Sequence, residues 1–254
     1  MIRSFLISIF VLASLFGAYD LQAQERTLQS QFDQANEAYF QRDFPKAIQL
    51  YQDLESRGLV SGDLFYNLGN TYYRQGEVGE AVYYYLKALR YSPRDRDLVA
   101  NLRYVLSKRV DQIEPGLLSK VYHTLFFWGD LMTLKELLLT TALFYGLFFI
   151  ILALRLMKKR TGLTFALVLL LLLNLLLLPT AVAKYVQEKM QTIAVIISPQ
   201  ASVFSEPTDS SIKLFELHEG TYGKVLDQTK DFIKMNFDSG KVGWIESKNV
   251  KKTP

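Results

Sequence analysis

The chain has 254 residues, half of them hydrophobic, a formal net charge of +4 and no cysteine. The missing cysteines exclude a disulfide framework, a thiolate metal site, a cysteine nucleophile and a lipidated cysteine anchor. The charge excess is no nucleic-acid footprint: residues 24–111 hold 12 cations and 12 anions, residues 184–254 hold 10 and 9, and the surplus lies between Arg155 and Arg160, whereas a phosphate-binding surface needs cations spread over a face.

In residues 1–23, Arg3 precedes an apolar core from Phe5 to Ala18, and the polar end reads LQAQ. This is the layout of a secretory signal peptide cleaved after Ala23, or of an uncleaved anchor. Both place the chain beyond residue 23 outside the cytoplasm.

Residues 28–110 carry a repeat of period 34. Setting Ala47 over Ala81 puts Ala35 on Gly69, Tyr51 on Tyr85 and Leu54 on Ala88, the pattern of tetratricopeptide repeats. The second copy is nearly complete, with Phe65, Leu68, Gly69, Tyr72, Gly76, Ala81, Tyr85, Ala88 and Pro93. Small residues let two antiparallel helices approach, Tyr72 and Tyr85 fill the space around them, Gly76 turns the chain and Pro93 ends the second helix. A third helix, DRDLVANLRYVLSKR, caps the array, with Val99, Leu102 and Leu106 at helical spacing. Two repeats and a cap fall short of the three or more repeats a solenoid usually needs. An end is therefore expected to be covered by a second copy, by a partner or by residues 116–134.

The first helices of such repeats line a groove. The lining positions here are Phe32, Asn36, Tyr39, Phe40, Asp63, Tyr66, Asn67, Asn70, Tyr73, Arg74 and Asn101. Repeats that clamp a C-terminal carboxylate combine two asparagines with cations. Asn36 and Asn67 match the asparagines, but Phe32, Asp97 and Asn101 stand in the cationic places, so an extended or helical partner segment fits better than a free carboxylate. The alternative is that the tyrosines are partly core.

Residues 116–134 are apolar and aromatic, suited to lying along a membrane surface or to packing back on the repeats. Residues 137–154 and 163–183 are free of charge and long enough to cross about 30 Å of hydrocarbon as helices. The expected spans are 137–156 and 163–183, joined by a basic loop at 157–162. Asn174, inside the second span, can hydrogen-bond a neighbouring helix. A short loop bearing Arg155, Lys158, Lys159 and Arg160 stays in the cytoplasm, which agrees with an exported N-terminal part and places residues 184–254 outside as well.

From residue 190 to 252 the pattern is of short strands: AVIIS, SVF, IKLFEL, YGKVLD, DFIKMNF and VGWIE, with a hairpin turn at Ser239-Gly240. So many strands in so few residues predict a small barrel. SVFSEP, LFELHEGTYGKVLD and the Gly243-Trp244 pair resemble a bacterial SH3-like domain. Trp244 is expected in its core. The histidines, His123 and His218, fall in different regions and make no metal site, and no P-loop, GxSxG, HExxH or dinucleotide fingerprint occurs. The expected class is thus a multidomain, non-enzymatic membrane protein without cofactor.

The order of these parts, with YNLGNTYYRQGEVGEAVYYYLKALRYSP and LHEG…VGW, resembles the BatE family of the Bacteroides-type aerotolerance operon over nearly the whole mature chain. That resemblance implies a bacterial inner-membrane protein acting with von Willebrand A-domain membrane proteins, BatD and a MoxR-type ATPase. The expected function is a periplasmic scaffold whose groove holds partner segments, with self-association as one way to complete the repeat array. The alternative is a cell-wall module whose barrel contacts peptidoglycan while the repeats recruit a wall enzyme.

Overall fold

The computed structural model describes residues 26–111, Val121, Thr124, 126–237 and 240–253. The signal segment 1–23, much of 116–125, His123 and Ser239 lie outside the described residues.

Five helices build the repeat part: α1 (26–40), α2 (Phe44–Ser56), α3 (Gly62–Gln75), α4 (Val78–Tyr91) and α5 (Arg96–Ser107). Local chemistry sets their ends. Asp43 and Ser61 cap α2 and α3 through the Lys46 and Leu64 amides, satisfying donors that a helix start leaves open. Gly76 closes α3 at φ 92°, a left-handed conformation natural to glycine. Gly69 lies against the ring of Tyr85, and a Cβ there would come within 2.6 Å of it; this is why the α3–α4 pair can close. Ala35, Ala47, Tyr51, Leu68, Tyr72, Ala81, Tyr85 and Ala88 are buried in this core. Pro93 follows the end of α4.

The buried stripe of α5 is Leu98, Leu102 and Val105. Val99 and Leu106, expected in that stripe, are only half-buried. The helix is therefore turned from the sequence expectation, with Leu98 and Val105 beside Leu102 in the buried stripe.

Seven strands form one antiparallel sheet: β1 (Ile193–Ile196), β2 (Gln200–Phe204), β3 (Lys213–His218), β4 (Tyr222–Gln228), β5 (Phe232–Asn236), β6 (Val242–Glu246) and β7 (Val250–Lys252), in the order β3-β2-β6-β5-β4-β1-β7. The six strand segments expected from sequence are all present; β7 is too short to show a pattern. Ile196, Val203, Met235, Phe237 and Ile245 form the core. Trp244 is buried opposite Phe204. Its neighbour Gly243 is needed because a Cβ there would meet Val203 at 2.3 Å.

Two long helices, α7 (Leu134–Met157) and α8 (Thr161–Met190), pack as a hairpin after the short α6 (Phe127–Leu131). Thr133 and Glu136 make a capping box at the start of α7. Both helices are long and apolar enough to cross a membrane, and little of either is buried: 11% and 17% of their most apolar windows. That exposure separates them from core helices of a soluble domain. Asn174 donates one amide N–H to Leu170 O of its own helix at 2.8 Å, and its buried Oδ1 has no partner among the described residues. Arg155 donates to Thr164 Oγ1 across the turn, while Lys158, Lys159 and Arg160 are exposed.

The β-domain is the structure that covers α4. Val195 is buried within the repeat core, and Tyr222 packs beside it. Gly79 meets β1 so closely that a Cβ would lie 2.6 Å from Ile196 O. Lys251 pairs with Glu80 at 2.7 Å and sits over the rings of Tyr83 and Tyr84. The sequence expectation concerned an end of the array; this contact lies on α4, between α3 and α5, and was not foreseen. The interface joins side chains that are isolated in the linear pattern.

Candidate functional site

Eight of the eleven expected groove residues line two cavities. Tyr39, Tyr66, Asn70, Tyr73, Arg74 and Asn101 line one cavity of about 540 Å³, together with Tyr85, Tyr104 and Val105. Phe32 and Asp63 line another, also about 540 Å³, with Arg26, Leu28 and Leu59. Asn36 and Asn67 lie between α1 and α3 and bond to each other. Phe40 is 77% exposed and touches the ring of Tyr39 edge-on; it lines neither cavity.

The polar cavity rests on a bonding unit that repeats with the sequence. Asn36 Oδ1 accepts from Tyr51 Oη at 2.6 Å and from Asn67 Nδ2 at 3.0 Å. One repeat later, Asn70 Oδ1 accepts from Tyr85 Oη at 2.7 Å and from Asn101 Nδ2 at 3.0 Å. Asn101 also donates to Tyr66 Oη at 3.0 Å. Each tyrosine that fills the inter-helix space thus ends on an asparagine of the groove, which both fixes the amide and satisfies a buried hydroxyl. Burial pushes the Tyr51 phenol up to about 12 and raises that of Tyr85 further. These phenols are neutral hydrogen-bond donors, not acids at work near neutrality.

Arg74 and Tyr73 form the outer wall. The Tyr39 hydroxyl beside Arg74 raises the guanidinium above its ordinary value, and the Tyr73 phenol is raised by its hydrogen bond to Tyr104. Tyr73 and Tyr104 meet edge-on at 6.0 Å. The cavity thus combines amides, a guanidinium and aromatic edges, a set that can grip the backbone of an extended chain and hold its side chains against rings. Tyr104 and Val105 were absent from the sequence-derived lining. Carrying the 34-residue period forward from Asn70 reaches Tyr104, so its signal was present; Val105 showed none.

A tetratricopeptide repeat family profile matches residues 32–96. No curated protein matches the chain. Among solved structures, the crystal structure of an NlpC/P60 family protein from Bacillus cereus ATCC 10987 is 13% identical, with a TM-score of 0.22, over 28% of this chain and 23% of that one. The chain thus spans under a quarter of that protein, and the likeness carries no argument about fold or activity. The period of 34, the helix pairs and the profile agree, and together they make this a tetratricopeptide-repeat-containing protein.

Proposed function

We propose that this protein is a non-enzymatic scaffold of the bacterial inner membrane, which holds a segment of a partner protein in its repeat groove. Tetratricopeptide repeats are protein-interaction modules, and the repeats at 32–96 support a protein-binding role. In this proposal α7 and α8 span the bilayer, the basic turn at Arg155–Arg160 faces the cytoplasm, and the repeats and the β-domain, read as SH3-like, stand on the periplasmic side. The exposed apolar surface of both helices supports this, because water would leave it uncovered. The resemblance to the BatE family adds partners: von Willebrand A-domain membrane proteins, BatD and a MoxR-type ATPase, in a complex linked to aerotolerance.

The observation that carries the reading is the pair of asparagine amides in the groove. Their oxygens are taken by Tyr51 and Asn67, and by Tyr85 and Asn101. Among the described residues the amide N–H groups of Asn36 and Asn70 meet no acceptor, and Arg74, which lines the cavity with Asn70, adds a third donor group. A partner backbone, with its row of carbonyls, matches a wall of donors.

A photo-crosslinking residue placed at Tyr104 in native membranes tests this. Crosslinks to a defined segment of one or a few proteins are expected, and Tyr73→Ala with Arg74→Ala should remove them while the protein stays in the membrane. Crosslinks that persist in the double variant, or that go only to lipid, refute groove binding.

A further inference from the structure

The turn between α7 and α8 gathers charge that the chain itself does not balance. It consists of Lys158, Lys159 and Arg160, all exposed, with Arg155 in the last turn of α7. No Asp or Glu occurs in the sequence between Glu136 and Glu188, and both of these lie beyond the far ends of the charge-free runs 137–154 and 163–183. A helix from Glu136 to Lys158 is about 33 Å long, several times the screening length of about 8 Å at physiological salt. Arg155 donates to a neutral acceptor, Thr164 Oγ1, at 2.9 Å. Among the described residues no carboxylate pairs with any of these cations.

The helices fix the depth of this charge. On the membrane-spanning reading above, on which this inference rests, the two charge-free runs fill a hydrocarbon core of about 30 Å. So short a turn holds its cations at the level of the cytoplasmic lipid headgroups and gives them no reach beyond. On the membrane side of the cations, Leu156, Met157 and Phe165 are 77%, 80% and 75% exposed. Both helices therefore carry bare apolar side chains directly beneath the charge.

Cations above and apolar side chains below are the two surfaces that a phospholipid joins, with its phosphodiester on one and its acyl chains on the other. The stretch also selects among phospholipids. A zwitterionic headgroup brings its own ammonium, for which the turn has no carboxylate, whereas a headgroup of net negative charge supplies the counter-charge that the chain lacks. We propose that the turn binds acidic phospholipids of the cytoplasmic leaflet, with phosphodiesters toward Lys158, Lys159 and Arg160 and acyl chains along Leu156, Met157 and Phe165. The bond from Arg155 to Thr164 ties the two helices together at the base of that site.

The test uses the full chain, extracted from membranes and placed in nanodiscs that mix phosphatidylglycerol and phosphatidylcholine. Retained lipid is read by native mass spectrometry after delipidation. Phosphatidylglycerol is expected to be retained over phosphatidylcholine. Lys158→Gln together with Lys159→Gln should lower that preference at least about fivefold, the contribution of a single cation near an acidic membrane surface. Lys158→Arg together with Lys159→Arg should keep it, because the charge remains. Soluble glycerol 3-phosphate should not displace the retained lipid; displacement would assign the turn to a free phosphate and overturn the lipid site. Equal retention of both lipids by the unaltered protein, or a preference unchanged in the glutamine pair, overturns the lipid site alone and leaves the spanning reading standing. A chain that leaves the membrane fraction without detergent overturns the spanning reading and this site together.

Discussion

Glu219 caps helix α4 from 140 residues away: its Oε2 accepts the Gly79 N–H at 3.1 Å. Helix α4 has no side-chain cap of its own, since Glu77 at the N-cap position makes no such bond. The turn after β3 supplies what the repeat lacks, and the negative charge also suits a helix N-terminus. Gly220, at φ 79°, makes that turn, with Arg109 and Val78 packed around it. The repeat array and the β-domain are therefore packed and bonded to each other outside the long helices.

Glu219→Ala should lower stability by about 0.5–2 kcal/mol, the range for a lost N-cap. Gly79→Ala should also destabilise, by about 1–3 kcal/mol through overpacking against Ile196 O, although alanine is the better helix former by about 1 kcal/mol. Thermal unfolding of the detergent-solubilised chain checks both. A Gly79→Ala protein as stable as the parent would mean that α4 and β1 do not meet.

Asp111 should behave as the second fastening. Its carboxylate accepts from the His218 backbone N–H at 2.6 Å and from Thr221 Oγ1 at 2.9 Å, and Arg109, lowered in pKa by burial, donates to Gly220 O at 3.2 Å. Asp111→Ala leaves a backbone donor and a hydroxyl without their acceptor, at a cost of about 1–3 kcal/mol. Limited proteolysis should then cut near residue 111 at lower protease concentration than in the parent, with Asp111→Asn in between.

Within the groove, Asn70 and Tyr85 should be coupled. Asn70→Ala orphans the Tyr85 hydroxyl, whereas Tyr85→Phe removes the need for the bond. A double-mutant cycle in chemical denaturation is expected to give about 0.5–1.5 kcal/mol of coupling. Asn36 with Tyr51 should give a similar value, because the unit repeats. Strict additivity at both sites would deny the bonding unit.

Alkaline pH should unfold the repeats through their tyrosines. Burial lifts the Tyr51 and Tyr83 phenols from 10.0 to about 12. Because the folded values are raised, the associated stability is whole below pH 10 and is lost as pH climbs through about 12. Absorbance at 295 nm should show exposed tyrosines ionising near pH 10 and a later phase, coincident with loss of helical circular dichroism, near pH 12. A single phase centred on pH 10 with the helices intact would contradict the burial.

For the membrane arrangement, alkaline phosphatase fused after residue 110 should be active and fused at Thr161 inactive. The reverse pattern would invert the proposed topology.

Much of this molecule was written in its linear order. The 34-residue spacing, the small residues Gly69 and Ala81, the two charge-free runs and the alternation after Ile193 each record a local rule: helix pairing, span length, or strand pleat. Such rules act between near neighbours, so they survive in a one-dimensional reading. The groove was legible in part, since most of its polar lining recurs at the repeat period, but its division into a polar cavity at Asn70 and an apolar one at Phe32 shows only once the helices are packed. Only tertiary structure decided what covers α4. That contact is made by Gly79, Asp111, Val195, Glu219 and Lys251, single residues drawn from unrelated positions. None has a periodic signature, because an interface between two different folds is set by shape and by a few matched polar groups, and neither recurs along a chain.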